Sequence, residues 1–411
     1  MRTIVKEHVA ETVTSGIFAP VMCDFVGWVL RSAVSSGITR LYFLARDGWI
    51  MYNIARIVAE RNKLDIELRY LYCSRMSLRN AALEDLGAEA YRYLLEGGFA
   101  LTPRTILGRL GLDGDERAGV YSDIGFAEDE NIELGKTAAA EICNKLRNSA
   151  VYNDYIRKVS RANKALALGY LRQEGLLDDV KYALVDSGWT GSMQRMFRVL
   201  TGRRQTGYYF GLYAKPNTED GEFNAYLFDR NTPPRLVSKF NNNLFETLCS
   251  APHGMTTGYE RRGDEYFPLL KEKDNLNSGS RLPEIQERML YERAREYILP
   301  EEYGNMKRRQ AFAFPLLATL MYKPTAEVAE EYGALRFSDD PAELYAFPLA
   351  APLEEPRRLY FLPRLYEKFF RKGKLAAPLY WGYGAAVLSG KGSWARVNLR
   401  LWEIVWLIKR R

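Results

Sequence analysis

Three short strings hold the residues best suited to chemistry. "LYFLARDGW" (41–49) is a strand-forming run broken by Arg46, Asp47 and Gly48; "YLYCSR" (70–75) ends in Ser74 and Arg75; "VDSGWTGSM" (185–193) presents Asp186, Ser187, Gly188, Trp189 and Thr190. Two carboxylates, two guanidiniums and several hydroxyls at strand ends suit an anion such as phosphate together with a hard divalent cation. Mg²⁺ is held through one or two carboxylates and keeps waters or substrate oxygens in its other positions, which makes Asp47 and Asp186 the candidate metal ligands. Arg46 and Arg75 offer planar forks for phosphate oxygens. Gly48 and Gly188 let the chain turn so that the amides of a following helix point at the anion. Each carboxylate also has a structural alternative, because an Asp just past a strand often serves as a helix cap.

Two further residues belong with this set. His253, one of two histidines, lies in "SAPHGMTTGY" (250–259) after a helical segment carrying Glu246. It can supply a base that titrates near neutral pH, or it is structural. The indole of Trp189 can stack a sugar ring or a base, or pack in the core.

The elements that must position these residues are legible from periodicity. "TRLYFLA" (39–45), "IELRYLYC" (66–73), "VKYALVD" (180–186), "TGYYFGLYA" (206–214) and "FNAYLFDR" (223–230) read as strands, and the first two enclose a helical "GWIMYNIARIVAERNKL". Strand, helix and strand in so short a span form a parallel crossover, and the pattern recurs through "GSMQRMFRVLTG". The expected fold is an open α/β parallel sheet whose strand ends converge on one crevice. Residues 78–178 read as an inserted helical lobe. Residues 1–77 and 179–269 make the α/β core, the latter closing through a helix, a polar loop and then a hairpin within 238–270. Residues 270–411 read as a mostly helical region that begins with the linker-like 270–282.

Bulk properties narrow the classes. The chain of 411 residues is 47% hydrophobic and 27% charged, an ordinary globular mixture that exceeds one small domain. The apolar stretch Ile17–Leu30 carries Asp24 and reads as a buried helix, and the start lacks a signal pattern, so a cytoplasmic protein is expected. Four dispersed cysteines without a CxxC pair read as reduced core thiols rather than a zinc or dithiol site. From Pro356 onward thirteen Lys or Arg oppose two Glu, a local +11, so the first 355 residues carry −4 of the total +7. In this tail, residues 391–411 place Val397, Leu401, Ile404, Val405 and Ile408 on one helical face bordered by tryptophans and arginines. Such a helix lies on an anionic membrane surface or packs on the body. Nucleic-acid binding is not expected, since no recognised module precedes the tail.

The strings "FLARDG", "LYCSR", "VDSGWTGSMQ" and "SAPHGMTTGY", with Lys164 ahead of the third, together resemble the haloacid dehalogenase superfamily over residues 15–265. The narrower likeness is to its predicted hydrolases in bacterial surface-polysaccharide gene clusters, sometimes joined to glycosyltransferases. The resemblance implies a Rossmann-like sheet with a cap, Mg²⁺, and phosphoryl chemistry on a phosphorylated sugar, nucleotide sugar or lipid-linked glycan at the inner membrane face. It implies that Asp47 is the general acid/base, Ser74 the phosphoryl-holding hydroxyl, Lys164 the steadying cation and Asp186 the metal ligand. The nucleophile position of the Asp-x-Asp-Gly motif falls on Ala45, and alanine cannot attack phosphorus. Three readings follow: a metal-dependent hydrolase or phosphotransferase that works without the covalent step, a binding or scaffold protein that partners a glycosyltransferase, or a glycosyltransferase itself.

Overall fold

The protein is described by a computed structural model covering residues 2–95, 101–272, 280–339, 346–354, 356–363, 378–391 and 393–410. Most of the linker-like 270–282 and the basic aromatic "RLYEKFFRKGK" string lie outside these residues.

Five parallel strands form the central sheet: β1 (Arg40–Leu44), β2 (Glu67–Leu71), β3 (Tyr182–Trp189), β4 (Gln205–Leu212) and β5 (Gly221–Phe228), in the order β2-β1-β3-β4-β5. All of β1 is buried, as a central parallel strand covered on both faces must be. At the edge, β2 starts on exposed Glu67 and half-buried Arg69, which blunts it against further pairing. Expected and observed strands agree, with one correction: β3 continues past Asp186 to Trp189, because β4 pairs with it as far as Leu212 opposite Trp189.

The helices run in chain order. An almost unbroken rod, α1 (Arg2–Val13) and α2 (Ala19–Ser35), is joined by a π-helical turn at Thr14–Phe18. Then come α3 (Gly48–Arg61), α4 (Arg75–Leu86), α5 (Ala88–Leu95), α6 (Pro103–Gly108), α7 (Gly114–Asp123), α8 (Lys136–Asn148), α9 (Ala150–Gln173), α10 (Ser192–Thr201), α11 (Pro234–Val237) and α12 (Asn242–Leu248). After the hairpin β6 (Thr256–Arg262) and β7 (Glu265–Leu270) follow α13 (Leu282–Glu296), α14 (Met306–Met321), α15 (Ala326–Gly333), the short pair β8 (Arg336–Phe337) and β9 (Phe347–Pro348), α16 (Gly382–Leu388) and α17 (Ser393–Arg410).

Alternation along the strands divides the core in two. Leu41, Phe43, Ala183 and Val185 point to one face, where they meet α2, α3, α13 and α14. Tyr42, Leu44, Tyr182 and Leu184 point to the other, where α4, α9 and α10 cover them. The inserted segment 78–178 therefore supplies one outer layer of the sheet, and the C-terminal helices help supply the other. Residues Glu7–Ser35 are long and apolar enough to cross a membrane, yet 72% of their apolar 18-residue window is buried inside the protein. Its Asp24 is satisfied there by the hydroxyls of Tyr226 and Tyr297. All four cysteines are free and buried.

Candidate functional site

The strand order reverses between β1 and β3. That switch point opens a crevice beyond the carboxyl ends of the strands, where open α/β sheets bind ligands. Asp47 follows β1 and Asp186 comes just past the last β1–β3 pair, Phe43 with Val185, so both carboxylates arrive at that point.

Asp47 stands in the N-cap position of α3 but makes no capping bond. Its Oδ2 instead accepts a hydrogen bond from the hydroxyl of Ser187, which is buried on the adjacent strand. The capping alternative is thus excluded for Asp47. The backbone N–H groups of Ser187 and Gly188 favour the charged form of Asp186. Burial, and then the neighbouring Asp47 charge, push its carboxyl from 3.8 up to about 7. Asp47 is raised as well, chiefly by burial, against the lowering effect of Ser187, Arg46 and Arg75.

A third carboxylate completes the group. Glu246, on α12, is pushed up to about 8 by burial and by Asp47, while Arg75, Trp189 and Asn242 pull it down. Cys249, a turn further on, sits where burial and then Asp47, Glu246 and Asp186 all hold its thiol far above the ordinary range. Glu246 was not singled out from sequence. Its only sequence signal is its place seven residues before His253, and the contact depends on how α12 folds over the crevice.

Arg75 is exposed in the first turn of α4, and its positive charge opposes the raised pKa of all three carboxyls. Arg46 acts on Asp47 and on Tyr70. Gly48 fits because a Cβ there would stand 2.8 Å from the Phe43 backbone. Gly188 has φ +107 and would put a Cβ 2.5 Å from the Gly211 carbonyl oxygen, so no other residue fits. Trp189 adopts φ 74, a strained value for a bulky residue. It is held there by its indole N–H donating to Glu246 and by packing against Tyr213, Phe228, Phe240 and Phe245. The ring therefore packs on the core while its N–H orders a site carboxylate. Thr190 is exposed at the rim.

His253 reaches the same end of the sheet. Its Nδ1 lies 2.8 Å from the Gly254 carbonyl, an acceptor only, so Nδ1 carries the proton and Nε2 accepts from the Tyr70 hydroxyl at 2.7 Å. Trp49, Tyr70 and Tyr72 surround the ring. Tyr70 feels the Asp47 charge, which ties this aromatic pocket to the crevice.

Two expected residues do other work. The Ser74 hydroxyl accepts the Ser77 N–H in a capping box and donates to the Thr256 carbonyl at 2.6 Å, so its hydrogen bonds serve α4 and the hairpin. Lys164 is not brought to the strand ends. It pairs with both oxygens of Asp85 at 2.7 and 2.8 Å, and Asp85 lies ten residues up α4 from Arg75, about 15 Å along the helix. A long helix crossing α4 at mid-length carries its lysine to the place where α4 offers an acid.

Among the described residues, no group of three or more His, Cys, Asp or Glu side chains is gathered to hold a metal ion. A cation here would rest on the two carboxylates Asp47 and Asp186, with the remaining positions left to water or ligand oxygens. Their all-oxygen character and mutual repulsion fit Mg²⁺. No family model matches the chain, and no curated protein does either.

Proposed function

We propose that the chain is a haloacid dehalogenase-like, Mg²⁺-dependent hydrolase or phosphotransferase acting on a phosphorylated sugar, nucleotide sugar or lipid-linked glycan in surface-polysaccharide synthesis. The reading is carried by one observation: Asp47 forgoes its capping bond and is held by Ser187 so that it repels Asp186 at the switch point. Half-buried carboxylates placed so that one raises the pKa of the other persist where a task requires them.

When bound, Mg²⁺ would neutralise the pair and polarise a phosphoryl oxygen. Arg75 and Arg46 orient the phosphate, and the first-turn amides of α3 and α4 add partial positive charge. With alanine at position 45, water attacks directly. The new bond joins its oxygen to phosphorus as the bond to the leaving oxygen breaks. Asp47 takes a proton from the water, and Glu246, protonated near neutral pH, gives one to the leaving group.

Titration of the purified chain with Mg²⁺ tests the site apart from its chemistry. The wild type binds and gains thermal stability, Asp186→Asn abolishes both, and equal Mg²⁺ stabilisation of the two sinks the metal site. Turnover of a panel of phosphorylated sugars should fall by at least about a hundredfold in Asp47→Asn, as loss of a positioned acid–base group implies.

Ala45 and the committed hydroxyl of Ser74 favour a second reading, a binding or scaffold protein that keeps the crevice and docks a glycosyltransferase. It expects ligand binding without turnover across the same panel, and any Mg²⁺-dependent turnover lost in Asp47→Asn rejects it.

A further inference from the structure

The terminal helix α17 has apolar residues on two opposite sides. Ala395, Leu399 and Leu407 are buried against the body, and Trp406 reaches Tyr213. That face packs on α11 and α16. Trp394 is 70% exposed, Val397 44%, Leu401 49% and Ile408 58%. Their spacing of three, seven and fourteen residues from Trp394 sets them in one stripe, roughly half a turn from the packed face at about 100° per residue. The packing and membrane alternatives thus separate onto different sides of one helix: packing uses the inner face and leaves the outer stripe uncovered.

Charge selects the occupant. Lys391, just ahead of the helix, and Lys409, near its end and roughly a quarter turn from the stripe, are exposed, while Arg400 is turned to the body, where it donates to the Arg235 carbonyl and lies over the Tyr322 ring. The only acid in the helix, Glu403, is turned inward, where the Tyr383 hydroxyl donates to it at 3.0 Å. An apolar stripe with an exposed lysine near each end and cleared of carboxylates is complementary to an interface that is apolar below and anionic above. Long basic side chains extend to the headgroups while tryptophan and leucine enter the acyl boundary.

We propose that the outer face of α17 docks the protein on an anionic lipid surface, with Trp394, Val397, Leu401 and Ile408 inserted and Lys391 and Lys409 on the headgroups. This surface stands on residues separate from the crevice, so the two proposals fail independently.

Sedimentation of the full chain with phosphatidylcholine vesicles, with and without phosphatidylglycerol, tests it. The wild type is expected to pellet with the anionic vesicles, less so in high salt and little with phosphatidylcholine alone. The double substitution Trp394→Glu/Leu401→Glu, whose sites are exposed, should keep the circular dichroism spectrum and lower the partition coefficient by at least about tenfold. Equal pelleting of the variant, or none by the wild type, overturns the proposal. So does a concentration-dependent dimer that the variant abolishes, because the stripe would then be covered by a second copy.

Discussion

Asp47, Asp186 and Glu246 give the site a pH signature with a definite sign. The Asp186 pKa rises from 3.8 to about 7 in the folded chain, so between those values the native state keeps a proton that the unfolded state releases. Stability is therefore full below about 4, falls as pH rises through about 7 and then levels, and Glu246 carries the fall on to about 8. Metal-free protein should show Tm descending across that window, and Asp186→Asn should flatten the descent. A wild-type Tm that climbs with pH would contradict the coupling. Ala45 is the other decisive residue. In the haloacid dehalogenase-like reading, Ala45→Asp restores the missing nucleophile, and the variant should form a hydroxylamine-sensitive phosphoprotein with a small phosphoryl donor. Failure of a folded, Mg²⁺-binding Ala45→Asp variant to do so counts against that family assignment.

At the scale of elements, the site depends on where β3 ends. The β3–β4 pairing runs beyond Asp186 and forces the left-handed turn that carries Gly188 and Trp189. Gly188→Ala meets both a disallowed φ and a carbonyl oxygen within 2.5 Å, and should cost about 3 kcal/mol in urea unfolding. Gly202→Ala, with φ +71 but open space around it, should cost about 1 kcal/mol. Equal losses at the two positions would show that the close strand approach at Gly188 carries no weight. The strands, the hairpin and most helices were legible because period-two and period-3.6 patterns are local. The extension of β3 was not, because Ser187 and Gly188 are poor strand formers and only pairing with β4 makes them one.

For the whole molecule, the two hydrophobic clusters cut across the division into core, inserted lobe and C-terminal region. Tyr42, Leu44 and Leu184 would lose most of their cover without the helices of 78–178. A chain with 78–178 replaced by a short linker should lose the cooperative thermal transition of the wild type. A sharp transition in that shortened chain would show that the sheet stands without its second layer.

Residue order alone determined that acids, hydroxyls and guanidiniums would gather at the ends of several parallel strands, because strand periodicity and the glycines that break it are written within a few residues. It also determined the α/β class and the amphipathic terminal helix. Only the tertiary structure decided that Lys164 is spent on Asp85, that Ser74 caps a helix, that Glu246 joins the carboxylates, and that α17 turns one apolar side inward and the other to solvent. Each of these depends on contacts between segments distant in the chain. Helix crossing and burial set such contacts, and neither is encoded in local spacing.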